Sequence, residues 1–205
     1  MAITYPLSLP SINPSSVRFT AHNNTATATS PFSGAQQVYE HPAQWWEAEV
    51  SYAAMTHADA EGLVAVLTAL KGMFGTFLLG DPYSTSVQGV GTGTPVVNGA
   101  SQTGSSLVTD GWTASKTGIL KAGDWIQLGS GTSQHIYKIL QDANSDSGGN
   151  ATFDIWPTLR ASPADDATIT IANTKGVFRL QTNDWGYNLD SVPHYGITFA
   201  AREAL

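Results

Sequence analysis

The chain contains no cysteine, which excludes disulfide bonds, thiolate metal sites and a cysteine nucleophile. Charged residues make up only 12% of it, about half of the roughly 25% that is usual in soluble proteins. Ser, Thr, Asn, Gln and Gly must therefore supply most of the polar surface. No run of residues approaches the ~18 apolar residues that a membrane span needs. The first ten residues lack a basic segment and a long apolar core, so we expect no signal peptide and folding in a cytoplasm.

Apolar residues account for 41% of the 205 residues, which is enough to bury a core, so the chain is not disordered as a whole. This length suits one large domain or two small ones. The formal net charge is −7, and no run of basic residues occurs. Both features argue against binding of nucleic acid through its phosphates and against docking on an anionic membrane.

Alternating residues predict strands in the first quarter of the chain. Residues 17–29 read as a strand, a turn at Asn23-Asn24 and a second strand of alternating Thr and Ala, which is typical of an exposed edge strand. Residues 45–52 alternate more strongly, with one apolar face made of Trp46, Ala48, Val50 and Tyr52. We predict a half-buried strand at this second position.

A helix at about residues 57–71 is predicted next. Thr56 is the expected N-cap, and Asp59 three residues later completes a variant of the capping box. The apolar face of this helix has the spacing of successive turns and consists of Ala60, Leu63, Val64, Leu67 and Leu70. Lys71 and Gly72 indicate its C-terminal end.

The helix is followed by a short apolar strand, residues 74–79, and by a turn that marks a domain junction, formed by Gly80, Asp81 and Pro82. Composition changes after Tyr83. Residues 84–106 are rich in Gly, Ser and Thr, which predicts a mobile or weakly packed segment.

Short strands separated by Gly, Asp, Asn and Pro then predict a small antiparallel barrel or sandwich, with strands at 107–108, 125–128, 135–140, 151–155 and 168–171. Two further strands, 176–180 and 196–201, are expected to return to the sheet of the first segment. The predicted fold is therefore mainly β with one α-helix. Its first domain is a discontinuous β-sandwich-like unit, residues 1–83 and 176–205, and its second is a β-barrel or sandwich inserted at 84–175.

One segment resembles a calcium loop. Asp142, Asn144 and Asp146 occupy the first, third and fifth positions of such a loop. The sixth position is Ser147 where glycine is required, and the twelfth is Phe153 where glutamate is required. A hairpin turn rich in Asn, Asp and Gly explains the segment better, so we predict no metal.

Other candidate sites fail on spacing or context, and we expect neither catalysis nor a cofactor. The five histidines are scattered, without the spacing of a helical zinc site. The glycines of residues 89–93 are not followed by a helix that would bind a dinucleotide phosphate. Ser101 lacks the last glycine of a nucleophile elbow. Glu47 and Glu49 lie on one face of a strand, as a carboxylate pair or, more simply, as its solvated side.

The aromatic residues leave three alternatives open: core packing, a protein interface and a sugar-stacking platform. They are Trp112, Trp125, Trp156, Trp185, Tyr137, Tyr187 and Tyr195. Trp112, Trp156 and Trp185 are the candidates for contact with a partner or a glycan.

Several stretches together resemble a family of tail proteins from siphophages and prophages. The first is Ser30-Pro-Phe-Ser-Gly-Ala-Gln-Gln-Val-Tyr39, followed by Trp46-Glu-Ala-Glu-Val50 and Gly75-Thr-Phe-Leu-Leu-Gly-Asp-Pro82. The likeness continues through Thr94-Pro-Val-Val-Asn-Gly99, Gly123-Asp-Trp-Ile-Gln-Leu128, Ile155-Trp-Pro-Thr-Leu-Arg160 and Gly176-Val-Phe-Arg-Leu180. It covers nearly the whole chain, and its motifs belong to the scaffold and carry no catalytic group.

The resemblance implies a distal tail protein of the virion, assembled in the cytoplasm of the bacterial host. Such proteins form a ring, typically hexameric, in which the first domain builds the ring and an appended barrel faces outward. The implied partners are further copies of the chain, the tail tube protein, the tape measure protein and the tail hub or tip proteins. DNA would pass through the ring without specific binding, and the negative net charge suits such a channel.

Three alternatives remain open at this point. A tail-tube or terminator subunit has a similar β-fold. A carbohydrate-binding module would use the inserted barrel to contact host glycans through Trp112 or Trp156. A tail-associated hydrolase is the third alternative, and the lack of any motif combining a nucleophile or acid with a base weighs against it.

Overall fold

The computed structural model describes residues 2–189 and 194–205. The prediction of a mainly β fold with one α-helix is confirmed, with 43% strand, 8% helix and two curled sheets. In the described residues the strands are β1 (Leu7–Ser8), β2 (Ser16–Thr29), β3 (Gln36–Met55), β4 (Phe77–Leu79), β5 (Gly93–Val97), β6 (Ser106–Trp112), β7 (Trp125–Leu128), β8 (His135–Ile139), β9 (Ala151–Trp156), β10 (Gly176–Leu180), β11 (Tyr187–Leu189) and β12 (Tyr195–Glu203). Helix α1 (His57–Ala69) lies between β3 and β4, and a 3₁₀ turn, Gly131–Ser133, precedes β8.

The larger sheet contains the strands from both ends of the chain, in the order β1-β4-β10-β12-β3-β2, with β11 paired to β12. Among the described strands of this sheet, only β1 and β4 pair in parallel. The prediction that the strands near 176–180 and 196–201 return to the sheet of the first segment is confirmed, because β10 and β12 lie at its centre.

The alternation predicted for residues 45–52 is confirmed, and it places one face of β3 in the core. Trp46, Ala48, Val50 and Tyr52 are all at most 7% exposed. The turn predicted at Asn23-Asn24 is wrong: β2 continues through it and pairs with β3 along its whole length. The register shifts between Asn23 and Asn24, so these residues mark a β-bulge opposite Pro42 and Ala43.

Helix α1 covers the same face of the sheet and has the predicted cap. Thr56 Oγ1 accepts a hydrogen bond from Asp59 N at 3.4 Å and donates one to Asp59 Oδ2 at 2.8 Å. The strand predicted at 74–79 is shorter than expected, because Phe74 lies in the turn after the helix with 72% of its surface exposed. Among the described residues, no helix has both the length and the apolar character to cross a membrane.

The smaller sheet follows the order β5-β6-β9-β8-β7 and has its own core, which includes Leu107, Tyr137 and Phe153. The strand predicted at 168–171 is instead a pair of isolated bridges. Thr168 pairs with Val96 of β5, and Thr170 pairs with Gln127 of β7. Because β5 and β7 are the two edges of this sheet, the bridges close it into a small barrel.

The segment predicted to be mobile or weakly packed, residues 84–106, contains strand β5, and Val97 in it is fully buried. The buried carboxylate of Asp124 holds the start of this segment by accepting hydrogen bonds from Gln88 N at 2.8 Å and Gly89 N at 3.3 Å. The prediction from composition failed because Asp124, which holds these backbone groups, lies far along the chain from them.

The chain crosses between the two sheets twice, and the two crossings lie side by side. Asp81 follows β4, and its carboxylate accepts hydrogen bonds from Trp125 Nε1 at 3.2 Å and Tyr83 N at 2.9 Å. The returning crossing lies beside it, since Asn173 N donates to Ser84 O at 2.7 Å. Trp125 and Ile136 of the barrel belong to the core of the larger sheet, so the two sheets share buried surface.

Candidate assembly interface

Strands β2 and β3 extend well beyond the rest of the larger sheet as a two-stranded projection. We call residues 23–43 the arm. Every residue of the arm is exposed except Ser30, which is half-buried. The ladder runs without a break from the pair Asn24 and His41 to the pair Thr29 and Gln36. Since both faces of the arm meet solvent, no packing within the described residues holds it other than its own ladder.

The tip of the arm is a compact turn, residues 30–35. Ser30 N donates to Ala35 O at 2.8 Å, and Gly34 N donates to Ser30 O at 3.0 Å. Gly34 has a φ of 69°, a left-handed conformation that glycine adopts without strain. This turn holds Phe32 out with 99% of its surface exposed, and Val38 and Tyr39 on β3 are 62% and 50% exposed.

The arm carries almost no charge. Glu40 is its only carboxylate, His41 is its only histidine, and it contains neither lysine nor arginine. Monomeric proteins protect exposed strand edges with charges, prolines and bulges. Here Pro42 and one bulge lie at the root of the arm, Pro31 lies in its tip turn, and Glu40 is the one acidic residue of the ladder between them. An isolated two-stranded ribbon is only marginally stable in water, so this geometry favours a partner that covers the arm.

The root of the arm is fixed by the barrel. Trp156 Nε1 donates to Asn23 Oδ1 at 2.8 Å, and Thr158 N donates to Gln44 Oε1 at 2.9 Å. The Trp156 ring packs edge-on against Trp46, with 4.4 Å between ring centroids. The arm therefore projects in a set direction, because both of its strands are tied to the body at the bulge.

A buried ionic group lies behind this root. Glu203 at the end of β12 has a fully buried side chain, and Arg160 of the barrel binds it through Nε and a terminal nitrogen. His135 Nδ1 lies 3.3 Å from Glu203 Oε1, an ion-pair distance without hydrogen-bond alignment. Burial opposes ionisation of Glu203. The contacts with His135 and Arg160 and the hydrogen bond from Trp46 N outweigh burial, so the pKa of Glu203 lies below its usual value.

The structure separates the three tryptophans that the sequence offered as contact candidates. Trp112 is 4% exposed, and its Nε1 donates to Thr109 Oγ1 at 2.8 Å inside the barrel core. It therefore presents no face to a glycan or a partner. Trp156 is half-buried at the root of the arm, and Trp185 is half-buried beside Tyr187, with 6.2 Å between ring centroids.

The remaining aromatic candidates divide in the same way. Trp125, Tyr137 and Tyr195 are buried, whereas Tyr187 is 46% exposed. Gly80, Asp81 and Pro82 lie at the crossing between the sheets, as the predicted domain junction requires.

The segment that resembles a calcium loop uses its oxygens to hold neighbouring backbone. Asp142 Oδ1 accepts from Ala122 N at 2.8 Å, and Asn144 Oδ1 accepts from Gly118 N at 2.7 Å. Asp146 Oδ1 accepts from Gly148 N at 2.7 Å, closing the predicted turn. Across residues 2–189 and 194–205, no group of three His, Asp or Glu side chains is placed to hold a metal.

The pair Glu47 and Glu49 differs from a proton-sharing dyad. Burial opposes ionisation of Glu47, but hydrogen bonds from Trp45 and Gln181 and the nearby His22 outweigh it, so the pKa of Glu47 is lowered. His22 Nε2 lies 2.8 Å from Glu47 Oε2, and Glu49 is exposed. Glu47 is paired with His22 and Glu49 meets solvent, which is the arrangement expected of the solvated side of β3.

The arm was not foreseen as a unit. The Thr and Ala alternation at 25–29 indicated an exposed edge strand, but residues 36–43 gave no alternating pattern because both of their faces are exposed. The lack of charge in residues 23–39 was the available signal. Models of known protein families give no match to this chain, and no curated protein sequence matches it.

Proposed function

We propose that this chain is a structural protein of a bacteriophage tail tip, a subunit of a ring that joins the tail tube to the distal tip or baseplate. The proposal starts from the resemblance of its motifs to distal tail proteins, which form such rings, typically as hexamers. Its partners would be further copies of itself, the tail tube protein, the tape measure protein and the tail hub or tip proteins.

The arm is the observation that carries the proposal. It exposes strand edges with a single acidic residue, Glu40, and three large apolar side chains, Phe32, Val38 and Tyr39. Pairing with a strand of a neighbouring subunit would satisfy those edges. If the arm pairs with a different surface of its neighbour, the contact is heterologous, and heterologous contacts build closed rings when the rotation between subunits closes.

The total surface of the subunit supports the same conclusion. Its accessible area is 11011 Å², whereas a compact monomer of this mass exposes roughly 9,200 Å². The excess is close to the ~1,600 Å² that a stable protein interface buries in total. A subunit that gives up about half that area at each of two contacts in a ring accounts for the excess.

Electron microscopy of the purified protein tests the proposal. We expect negatively stained images to show closed rings with a central hole, and light scattering to give the mass of a defined oligomer. A protein that stays monomeric at high concentration would count against the proposal.

An arm-deleted variant makes the test specific. Residues 25–40 are replaced by Asn-Gly, a two-residue turn that joins the cross-strand partners Asn24 and His41. We expect this variant to fold and to remain monomeric, with the near-ultraviolet circular dichroism of the intact core. A second variant, with Phe32→Ser, Val38→Ser and Tyr39→Ser together, keeps the backbone edges of the arm and loses its apolar contacts. Comparison of the two variants separates the contribution of edge pairing from that of apolar contact.

A further inference from the structure

An open cleft of about 740 Å³ lies where the two sheets meet, beside the root of the arm. Its lining combines apolar and cationic groups. Val177 and Ala204 are buried apolar residues of the lining, Leu159 is half-buried and Leu205 is 68% exposed. The cleft is thus lined by both sheets, and Pro42 of the arm reaches its edge.

A strand edge borders the same region. β12 pairs with β3 only as far as Glu47, opposite Arg202, and β12 ends one residue later at Glu203. Residues 36–44 of β3 have no strand partner on this side within the described part of the chain. An extended segment lying in line with β12 would meet this edge and the cleft together.

The cleft contains one arginine that forms no ion pair among the described residues. Arg160 is neutralised by Glu203. Arg179 in the lining of the cleft is directly opposite Arg202 on the neighbouring strand, and like charges in that position destabilise a sheet. Arg202 lies over the Trp45 ring at 4.2 Å. Among the described residues, no carboxylate lies within 4 Å of Arg179.

The arm has the complementary chemistry. Glu40 is its single carboxylate, and the exposed Val38 and Tyr39 precede it directly. Within its own chain, Glu40 accepts a hydrogen bond from Gln44 at 3.4 Å and is held in register opposite Thr25. Val38 and Glu40 are two residues apart in β3 and therefore lie on the same face of the strand. An acidic group beside an apolar side chain matches a cleft that is lined by Arg179, Leu159 and Leu205.

We propose that this cleft receives the arm of a second copy of the chain, with the partner subunit's Glu40 against Arg179 and the partner subunit's Val38 against Leu159 and Leu205. This inference rests on the proposed function and assigns the contact that builds the ring. Each subunit offers one arm and one cleft, so every subunit contacts two neighbours and the chain of contacts is able to close.

Charge reversal at the two positions tests the pairing. Arg179→Glu and Glu40→Arg each place like charges at the contact, which opposes association. We expect each to raise the protein concentration for half-assembly by about tenfold or more, because 1.4 kcal/mol already corresponds to a factor of ten. The double variant restores opposite charges and should assemble close to the wild-type concentration. Lys116→Glu, a charge reversal at an exposed residue of the barrel outside the cleft, is the matched control and should assemble normally.

A mixing experiment tests the direction of the contact. The arm-deleted chain keeps its cleft, and the Arg179→Glu chain keeps its arm. Each alone should remain monomeric, but we expect the mixture to form a dimer in light scattering, since one intact contact is available. A mixture that stays monomeric would overturn the inference.

The outcomes distinguish this inference from the proposed function. Rings of the wild-type protein that persist in both single charge-reversal variants would overturn the arm-to-cleft contact and leave the ring intact as a proposal. Wild-type protein that forms no ring would contradict the proposed function itself. If Arg179→Glu loses its near-ultraviolet circular dichroism, Arg179→Gln replaces it. Failure of the double variant to recover assembly would also overturn the pairing.

Discussion

Gly80 shows how closely the backbone of one crossing approaches the other. A Cβ atom added at this glycine would lie 1.9 Å from the carbonyl oxygen of Thr174. The obstruction is backbone, which cannot rotate away as a flexible side chain can. The glycine is required here by space, since its φ is outside the left-handed region where glycine is favoured for its conformation.

Gly80→Ala is therefore expected to force the two crossings apart. Overpacking of a close contact typically costs about 1–3 kcal/mol, and we expect the free energy of unfolding in urea to fall by at least that amount. The control is Gly186→Ala, where an added Cβ meets nothing within 4 Å. Equal denaturation midpoints for the two variants would contradict the prediction.

Burial in the fold also decides which of the tryptophans suggested by the sequence are available for contact with a partner. Trp112 and Trp156 both lie at the ends of short strands. Only the three-dimensional arrangement distinguishes them, because Trp112 faces the closed interior of the barrel and Trp156 faces the root of the arm. The residues around a strand in the sequence do not indicate which face of that strand another sheet will cover.

Among the elements, α1 allows a direct test of whether an N-cap residue stabilises its helix. Thr56 caps it by accepting the N–H of Asp59. Thr56→Ala removes this acceptor, and loss of an N-cap costs about 1 kcal/mol. Thr68→Ala in the same helix is the control, since Thr68 is exposed within the helix and caps nothing. Thermal unfolding should show a lower midpoint for Thr56→Ala alone. Equal midpoints would mean that the cap does not stabilise the helix.

The arm should exchange its amide hydrogens differently in the free and the assembled protein. Its ladder from Asn24 to Thr29 is exposed on both faces, so a monomer will open it easily and exchange quickly. Pairing with a neighbour would protect these amides. Hydrogen exchange measured by mass spectrometry, at concentrations below and above assembly, checks this expectation, with residues 46–52 of β3 as the buried reference. Identical exchange in both states would argue that the arm is not in the interface.

Local chemistry predicted most of the elements of this fold. Strands β7 and β10 and the helix matched the prediction closely, because each has a strong pattern bounded by Gly, Asp or Lys. The arm and its bulge were not predicted. Asn23-Asn24 has the same composition in a hairpin turn and in a bulge, and the choice between them depends on whether a partner strand continues opposite.

At the scale of the molecule, the lowered pKa of Glu203 makes the stability of the contact between the two sheets depend on pH. Glu203 belongs to the larger sheet, and Arg160 and His135 belong to the barrel. Because the folded pKa of Glu203 lies below its usual value of 4.5, its contribution is present above pH 4.5. This contribution is lost as pH falls through the folded pKa.

Wild-type protein is thus expected to lose stability below about pH 4.5 more steeply than Glu203→Gln, which has no carboxyl group to protonate at this position. At neutral pH the variant should itself be less stable by about 3 kcal/mol, since it leaves the buried Arg160 without its counter-charge. Urea denaturation at a series of pH values measures both effects. Parallel curves for the two proteins between pH 3 and 6 would show that Glu203 titrates normally.

The neighbouring crossings at Gly80 and Thr174 have a consequence for exchange of the barrel by recombination. A segment whose two ends meet is replaceable in principle without disturbing the strands that flank it. Here Trp125 and Ile136 complete the core around Trp46 and Phe178. A foreign barrel grafted between β4 and β10 would therefore need apolar side chains at those two positions, so genetic exchange at this site is limited to segments that bring their own share of the core.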